Sequence, residues 1–535
     1  MWLANTNPMN QQAVSAAVAA IPIFYLFWAL AWKKMKGPVA ATSTVGVTLL
    51  VAMVAFRMPA KLAFLAMVDG MLFGLWPMVW VVIAAVYLYN LCVETGQFLV
   101  IKNSLASLTA DRRMQALLIA FAFGAFLEGA AGFGGPVAIT AAMLAGLGFN
   151  PVYAAGLCLL ANTAPVAFGS VGMPIIVAAQ VSGVDQMAIS QLVGRTLLLL
   201  SIAIPFYLVT VMSGFAKCRE VWPACLVCGV SFGVTQCVTA NYLGPMLPNI
   251  FSSIVAIISL MILLRFWHPR EDWHFAGEPP GPGRENLAYT PGQILRAWAP
   301  YLIVSVMVTA LGIKPIKAFL EHYTTFFIPI CGLHDRILLD GSPQPALFKL
   351  NLINTPGTAI LLAAFVSLPV MGSSSRQAVQ VMGRTLATLR WSILTISSII
   401  GFAYIMNFSG MAITLGRAFA ATGCLFPFFS PFLGWLGVFM TGTDTSSNAL
   451  FGKLQQVTAS QIGVNPVILV SANTTGGVCG KMISQQSLSV ATAATGLEGR
   501  EAEIFRFTCK HSLILVTAIA VITVLQVYVI QWVVP

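Results

Sequence analysis

Residues 118–149 read LIAFAFGAFLEGAAGFGGPVAITAAMLAGLGF, an apolar run interrupted by Glu128 and by Gly129, Gly132, Gly134, Gly135 and Pro136. An ordinary membrane helix carries neither a carboxylate nor a cluster of helix breakers. An ionised side chain in hydrocarbon costs about 3 kcal/mol or more, and backbone freed at that depth persists only where protein or a watery cavity satisfies it. The stretch therefore reads as a binding site set inside a membrane. The plainer reading is that small residues let two helices approach closely while a remote lysine neutralises Glu128.

A second copy favours the binding reading. GAFLEGAAGFGGP at 124–136 is echoed by GVFMTGTDTSSNA at 437–449, which sets Gly129 against Gly442 and Glu128 against Thr441. Each copy is followed by an Asn-Pro-Val segment, NPVYAAGLCLLANTAPVAFG from Asn150 and NPVILVSANTTGGVCG from Asn465. A four-residue gap, about one helical turn, then aligns Asn162-Thr163 with Asn473-Thr474. Trp76 and Trp391, Gly96 and Gly410, and Arg195 and Arg506 fall on nearly the same offset, so an internal repeat spans most of the chain.

Composition sets the class. With 58% hydrophobic and 8% charged residues among 535, and a mean hydropathy of +0.86, the chain is a polytopic membrane protein. Its apolar runs are continuous rather than alternating, which excludes a transmembrane β-barrel, and several reach the roughly 20 residues a span needs. The net charge of +11 reflects basic cytoplasmic loops and calls for no nucleic acid partner. Most of the ten cysteines lie in apolar runs, and the lone CxxC of Cys225 and Cys228 has no second pair and no nearby histidine. The five histidines form no metal or nucleophile motif, so neither a cofactor nor an enzyme is expected.

Residues 1–37 are expected to form a retained first span ending in a basic cytoplasmic stretch with Lys33, Lys34 and Lys36, leaving the N-terminus outside. Residues 38–213 make the first repeat, 214–353 connecting spans and loops, and 354–535 the second repeat. Three spans between the repeats invert the second one, and the basic loop at 500–510 then falls inside, with the C-terminus outside. The stretch HPREDWHFAGEPPGPGRENLAYTPGQ reads as a solvent loop, and 339–343 as a polar connection. The fold class is thus an all-α polytopic membrane protein with inverted repeats and broken helices or re-entrant hairpins, the architecture of secondary transporters.

Glycine-rich breaks expose backbone N–H groups, and half-helix N-termini favour anions, so the site suits a small carboxylate. Gly129, Gly132, Gly134, Asn162, Thr163, Thr443, Thr445, Ser446, Asn473, Thr474, Thr475 and Lys481 are the expected substrate-binding residues. Lys481 is expected to meet either the substrate carboxylate or Asp444. Glu128 and Asp444 are the expected proton-coupling groups, because burial can bring a carboxyl into the range where it binds and releases a proton.

The strings GLWPMVW, GAFLEGAAGFGGPVAITAA, YAAGLCLLANTAPVAFGSVGMPI, QILRAWAPYL, FFSPFLGWLGVFMTGTDTSSNALF, ANTTGGVCGKMIS and RFTCKHSLI spread from Gly74 to Ile514. Together they resemble the lactate permease family, which includes the bacterial L-lactate and glycolate permeases. The resemblance implies a bacterial cytoplasmic-membrane symporter that imports lactate and glycolate with protons. Gln485 and Gly135 depart from the residues usual in that family, Pro and Ala. A sodium-coupled carboxylate carrier fits the same polar residues, since Asn-Thr pairs and unwound carbonyls also suit Na⁺; a membrane enzyme or a receptor fits them less well. The substrate, protons and the bilayer are the expected partners.

Overall fold

The computed structural model describes residues 1–33, 35–130, 132, 135–275, 289–312, 314–339 and 341–535. Among them eleven helices are long and apolar enough to cross a bilayer, and a bent pair, Pro151–Ala161 with Val166–Ser182, would make a twelfth. The chain is a multi-pass helical membrane protein.

Local chemistry places the breaks. Asn150 and Asn465 cap the following helices in the same way, each Oδ1 accepting from the N–H two residues on, with Pro151 and Pro466 at the first helical position. Gly96 and Gly410 both take left-handed φ, +73° and +86°, at the end of 35-residue elements, Ala60–Glu94 and Ser375–Ser409. The first of these is broken at Trp76, which is extended at φ −132° before Pro77; Ser392 follows Trp391 in the second, which stays helical.

The same element order occurs twice. After Gly37–Val54 and Pro356–Met371 come the two 35-residue elements, then Gln97–Ala106 and Met411–Ala420. Two hairpins follow, Arg112–Ala130 with Gly135–Gly146 and Phe426–Thr441 with Asp444–Gln461. Each half then has a helix pair, Pro151–Ala161 with Gly169–Ser182 and Pro466–Lys481 with Gln485–Thr495, and ends on a 28-residue helix, Gln186–Ser213 or Glu501–Tyr528.

Packing between the halves is reciprocal. Gly169–Ser182 lies on Asp444–Gln461, while its counterpart Gln485–Thr495 lies on Gly135–Gly146. Gln186–Ser213 packs on Pro466–Lys481, and Glu501–Tyr528 on Pro151–Ala161. Such an exchange of partners is what a two-fold relation between halves produces. In the second hairpin the arms run back antiparallel: Ser447 Oγ donates to the Gly434 carbonyl, and Ser430 Oγ to Gln455 Oε1 at 2.8 Å.

Phe426–Thr441 and Pro466–Lys481 touch backbone to backbone. A Cβ on Gly476 would overlap the Pro431 carbonyl, and one on Gly480 the Trp435 carbonyl. Gly476→Ala is therefore expected to destabilise the protein by about 1–3 kcal/mol through overpacking. Gly46→Ala, where a Cβ meets nothing within 4 Å, should be neutral. Thermal unfolding of the purified variants measures the difference.

Three features depart from the sequence expectations. The connection before the second repeat is not merely polar: it holds an amphipathic helix, Lys314–Thr324, and an antiparallel pair, Thr325–Pro329 with Leu347–Asn351. Ile337–Leu339 also pairs in parallel with the N-terminal strand Trp2–Leu3, so among the described residues the fold is all-α except for this small β cap; Asp340 lies outside them. Finally, the solvent loop docks at its start. Trp273 N–H donates to Asp111 Oδ2, and the fully buried Arg113 pairs with Asp111 at 2.6 Å and Glu220 at 2.9 Å while donating to the Glu271 carbonyl. Residues 276–288 of that loop lie outside the described residues.

Candidate functional site

The two halves meet at a buried ion pair. Lys481 Nζ, at the C-terminal end of Pro466–Lys481, donates to Glu128 Oε1, on the first hairpin, at 2.6 Å. Glu128 is 2% exposed and Lys481 5%. Removing two charges from water costs several kcal/mol per ion even after relaxation, so such a pair is weak evidence for stability. A role in function is the better account of its presence.

Beside the pair stands a third charge-bearing group. Asp444, 3% exposed, begins the helix Asp444–Gln461, and neither of its carboxyl oxygens has a hydrogen-bond partner among the described residues. Glu128 Oε2 is likewise unpartnered. These atoms border a cavity of about 20 Å³, lined by Glu128, Gly169, Ser170, Thr443, Asp444 and Lys481 among others. That space holds about one water, so a three-carbon acid cannot enter while the ion pair stays closed. The helix N-terminus at Asp444 faces the same cavity and adds the partial positive charge that favours anions.

Close approach and strained backbone build the walls. A Cβ on Gly169 would come within 2.6 Å of Glu128 Oε1, and one on Gly477 would overlap the Asp444 carboxyl. Ser170, Val171 and Gly172 are all left-handed, with φ of 45°, 57° and 77°. For a β-branched valine that conformation is an outlier, of a kind that collects at functional sites where surroundings hold it. Gly132, at φ +63°, lets the tip of the first hairpin touch Ser170.

Of the residues nominated from sequence, Glu128, Thr443, Asp444, Thr445 and Lys481 line the cavity together. The partner of Lys481 is Glu128 rather than Asp444, which corrects one of the two expected pairings. Ser446 is one step back, its hydroxyl accepting from Thr443 Oγ1 at 2.7 Å. Gly132 abuts Ser170, and Gly129 packs on Asn249. Gly134 lies outside the described residues.

The two Asn-Thr pairs occupy different structural positions. Asn162 and Thr163 sit at the end of Pro151–Ala161, buried, with Asn162 Nδ2 and Thr163 Oγ1 unpartnered among the described residues. Asn473 and Thr474 lie inside an uninterrupted helix, both donating to Asn448 Oδ1, and Thr475 turns back to its own helix at Ser471. Pro165 explains the difference. Its ring clashes with the carbonyl four residues earlier and ends the first helix, whereas Gly476 and Gly477 let the second continue to Lys481.

Ser170 was not nominated from sequence, although the breakers Gly169, Gly172 and Pro174 mark its position. Gln236 and Asn249 were also missed. They come from the spans between the halves, where a polar residue in an apolar helix was the available signal. Gln236 Nε2 donates to the Ala164 carbonyl at 3.1 Å and Asn249 Nδ2 to that of Pro165 at 2.6 Å, satisfying the backbone freed by the first break.

A larger pocket of about 430 Å³ shares Thr443 with this cavity. Lys36, Trp391, Thr395, Gln485 and Gln486 are among its walls.

A family model described as L-lactate permease matches residues 15–530. The chain belongs to the L-lactate permease family. Glycolate permease GlcA of Escherichia coli (strain K12) is 50% identical, the match covering 99% of this chain and 98% of that protein. The L-lactate permease of Bacillus subtilis (strain 168) is 48% identical, over the full length of both chains. These relatives are permeases, and this chain is a transporter rather than an enzyme. Among solved structures, the Alcanivorax borkumensis YdaH transporter is similar over 79% of this chain and 86% of its own, at 14% identity and a TM-score of 0.34.

Proposed function

We propose that this permease imports lactate and glycolate by proton symport across a bacterial cytoplasmic membrane, with Glu128 as proton carrier and Lys481 as carboxylate ligand. The observation that carries the reading is the buried Lys481–Glu128 pair closing a cavity of about 20 Å³ beside an unpartnered Asp444. When a proton reaches Glu128, its hold on Lys481 weakens and the ammonium turns to the substrate carboxylate. The 2-hydroxyl then finds donors and acceptors in Thr443 and Thr445, with Asn162, Thr163 and Ser446 nearby.

Charge decides the coupling. The empty site holds Glu128⁻ and Lys481⁺; the loaded one holds protonated Glu128, Lys481⁺ and the substrate anion. Both have the same net charge, so neither carries an uncompensated ion through the membrane. One proton then accompanies each monocarboxylate, and Asp444 is the second group able to exchange one. Residues 38–213 and 354–535 act as inverted repeats whose two hairpin tips approach the site from opposite faces. Both termini lie on the periplasmic side.

The sodium alternative draws less support. It relies on carbonyls freed by the breaks, yet those of Ala164, Pro165 and Pro174 already accept from Gln236, Asn249 and Asn448. In proteoliposomes an inside-alkaline pH gradient is expected to drive accumulation of labelled lactate, competed by glycolate, with no sodium present. Accumulation that follows an imposed sodium gradient and ignores pH would overturn proton coupling.

A further inference from the structure

The larger pocket of about 430 Å³ that shares Thr443 with the central cavity has two kinds of wall. Leu26, Leu30, Ile396, Ile399 and Met440 give it an apolar side, and Lys36, Thr395, Gln485 and Gln486 a polar one. Lys36 and Trp391 lie at one level. A Cβ on Gly37, next to Lys36, would stand 3.9 Å from Thr395 Oγ1, and that hydroxyl donates to the Trp391 carbonyl one turn back. Gly37 to Val54 and Trp391 to Ser409 each measure about 26 Å at 1.5 Å per residue, close to the thickness of a hydrocarbon core. An exposed tryptophan and a lysine at that boundary mark a membrane interface, the cytoplasmic one in the orientation proposed above.

Charge around the pocket is one-sided. The helical elements that wall it, within 12–32, 37–54, 375–409, 426–441, 444–461 and 485–495, contain a single carboxyl, Asp444, which is 3% exposed and lines the central cavity instead. Lys36 is exposed and has no carboxylate partner among the described residues. Arg390, also exposed, holds its guanidinium carbon 5.3 Å from the centre of the Trp391 ring. Stacking on a ring face leaves the in-plane N–H groups of a guanidinium available to an anion. Arg384, farther back on the same helix, is by contrast already paired with Glu94 at 3.1 Å.

We propose that this pocket binds one anionic phospholipid, its phosphate held by Lys36 and Arg390 and one acyl chain laid along Leu26, Leu30, Ile396 and Ile399. Basic pockets between spans on the cytoplasmic side suit such headgroups, and an arginine and a lysine together supply charge-assisted donors to a phosphodiester. A three-carbon acid fills only a fraction of this space and has no chain for the apolar side, so the walls favour a lipid over the transported substrate. The headgroup lies beside the second hairpin. A Cβ on Gly442, at the hairpin tip, would overlap the Gln486 carboxamide oxygen, so a lipid seated against Gln486 braces the tip that carries Thr443 into the central cavity.

Native mass spectrometry of the purified full-length permease, titrated with phosphatidylglycerol or with phosphatidylcholine of the same chains, tests the site. The unaltered protein is expected to retain one phosphatidylglycerol that phosphatidylcholine does not replace. Lys36→Met/Arg390→Met should lower that retention about tenfold or more, and Lys36→Arg/Arg390→Lys should keep it. Leu30→Trp fills the apolar side while leaving both cations, so loss of the lipid there too separates a seated molecule from a diffuse attraction. Melting temperatures in phosphatidylcholine nanodiscs should be the same for all these variants. Equal retention of the two lipids, or retention that neither Lys36→Met/Arg390→Met nor Leu30→Trp reduces, would overturn the proposal. Displacement of phosphatidylglycerol by inorganic phosphate or lactate would assign the pocket to a small anion and overturn it as well. In proteoliposomes, lactate exchange by the unaltered protein should run several-fold faster with phosphatidylglycerol present than without, and Lys36→Met/Arg390→Met should show one rate in both; equal rates for the unaltered protein would overturn the bracing role. Retention is read without transport, so the lipid site and the proposed symport fail separately.

Discussion

Lys481→Met is expected to reduce lactate uptake by about 100-fold or more. Breaking a buried ion pair by removing one partner costs about 3–5 kcal/mol, because the remaining charge is left uncompensated. Each 1.36 kcal/mol is a factor of ten. In this permease the loss has two sources. Under the proposed mechanism the substrate carboxylate loses its ammonium ligand, and Glu128, 2% exposed, is left facing Asp444 across the cavity without the lysine's charge. Lys481→Arg keeps the charge, but the Cβ of any residue at the adjacent Gly480 would overlap the Trp435 carbonyl, which shows how little room this helix end has. The arginine variant is therefore expected to recover folding but only part of the uptake. Initial rates of labelled lactate uptake, normalised to protein in the membrane, measure both. Uptake by Lys481→Met at the unaltered rate would remove Lys481 from the site.

Glu128→Gln is expected to abolish accumulation driven by a pH gradient while leaving lactate–lactate exchange in place. Glutamine fills the same space and can still meet Lys481, but it cannot carry a proton between the two faces. Exchange needs only the loaded carrier to turn over, whereas net uptake needs the empty one to return. With the proposed proton site gone, the empty site keeps an unpaired Lys481⁺, and its return through the membrane carries an uncompensated charge. Counterflow and gradient-driven uptake measured in the same proteoliposomes separate these outcomes. Full concentrative uptake by Glu128→Gln would assign the proton elsewhere, with Asp444 the next group to test. The double variant Glu128→Gln/Lys481→Met removes both charges together and is expected to fold better than Lys481→Met alone, since no lone carboxylate remains on the first hairpin.

The site was legible in sequence to the extent that it depends on residue type. Glycine clusters beside one carboxylate, and a threonine and serine run beside another, stood out because hydrocarbon tolerates neither. The repeat could be followed through Trp76 and Trp391, and it reappears as paired helices of equal length. What was less legible were relations between distant segments. The Asn-Thr pairs match as letters, yet Pro165 ends one helix where Gly476 and Gly477 extend the other, so Asn162 sits at a break and Asn473 in a network with Asn448 and Gln455. Gln236 and Asn249 come from outside the repeats and could be placed only by their bonds to Ala164 and Pro165.

The sequence by itself determined that this chain crosses a bilayer many times, that it is built from two related halves, and that each half is broken in its middle, because apolar length, recurrence and helix-breaking residues are local properties. Tertiary structure alone decided that Lys481 pairs with Glu128, 353 positions away, and leaves the nearby Asp444 without a donor among the described residues. Which of two carboxyls an ammonium reaches depends on how two half-helices from opposite ends of the chain cross. That crossing is set by glycine contacts such as Gly169 against Glu128 and Gly477 against Asp444, whose partners no local pattern names.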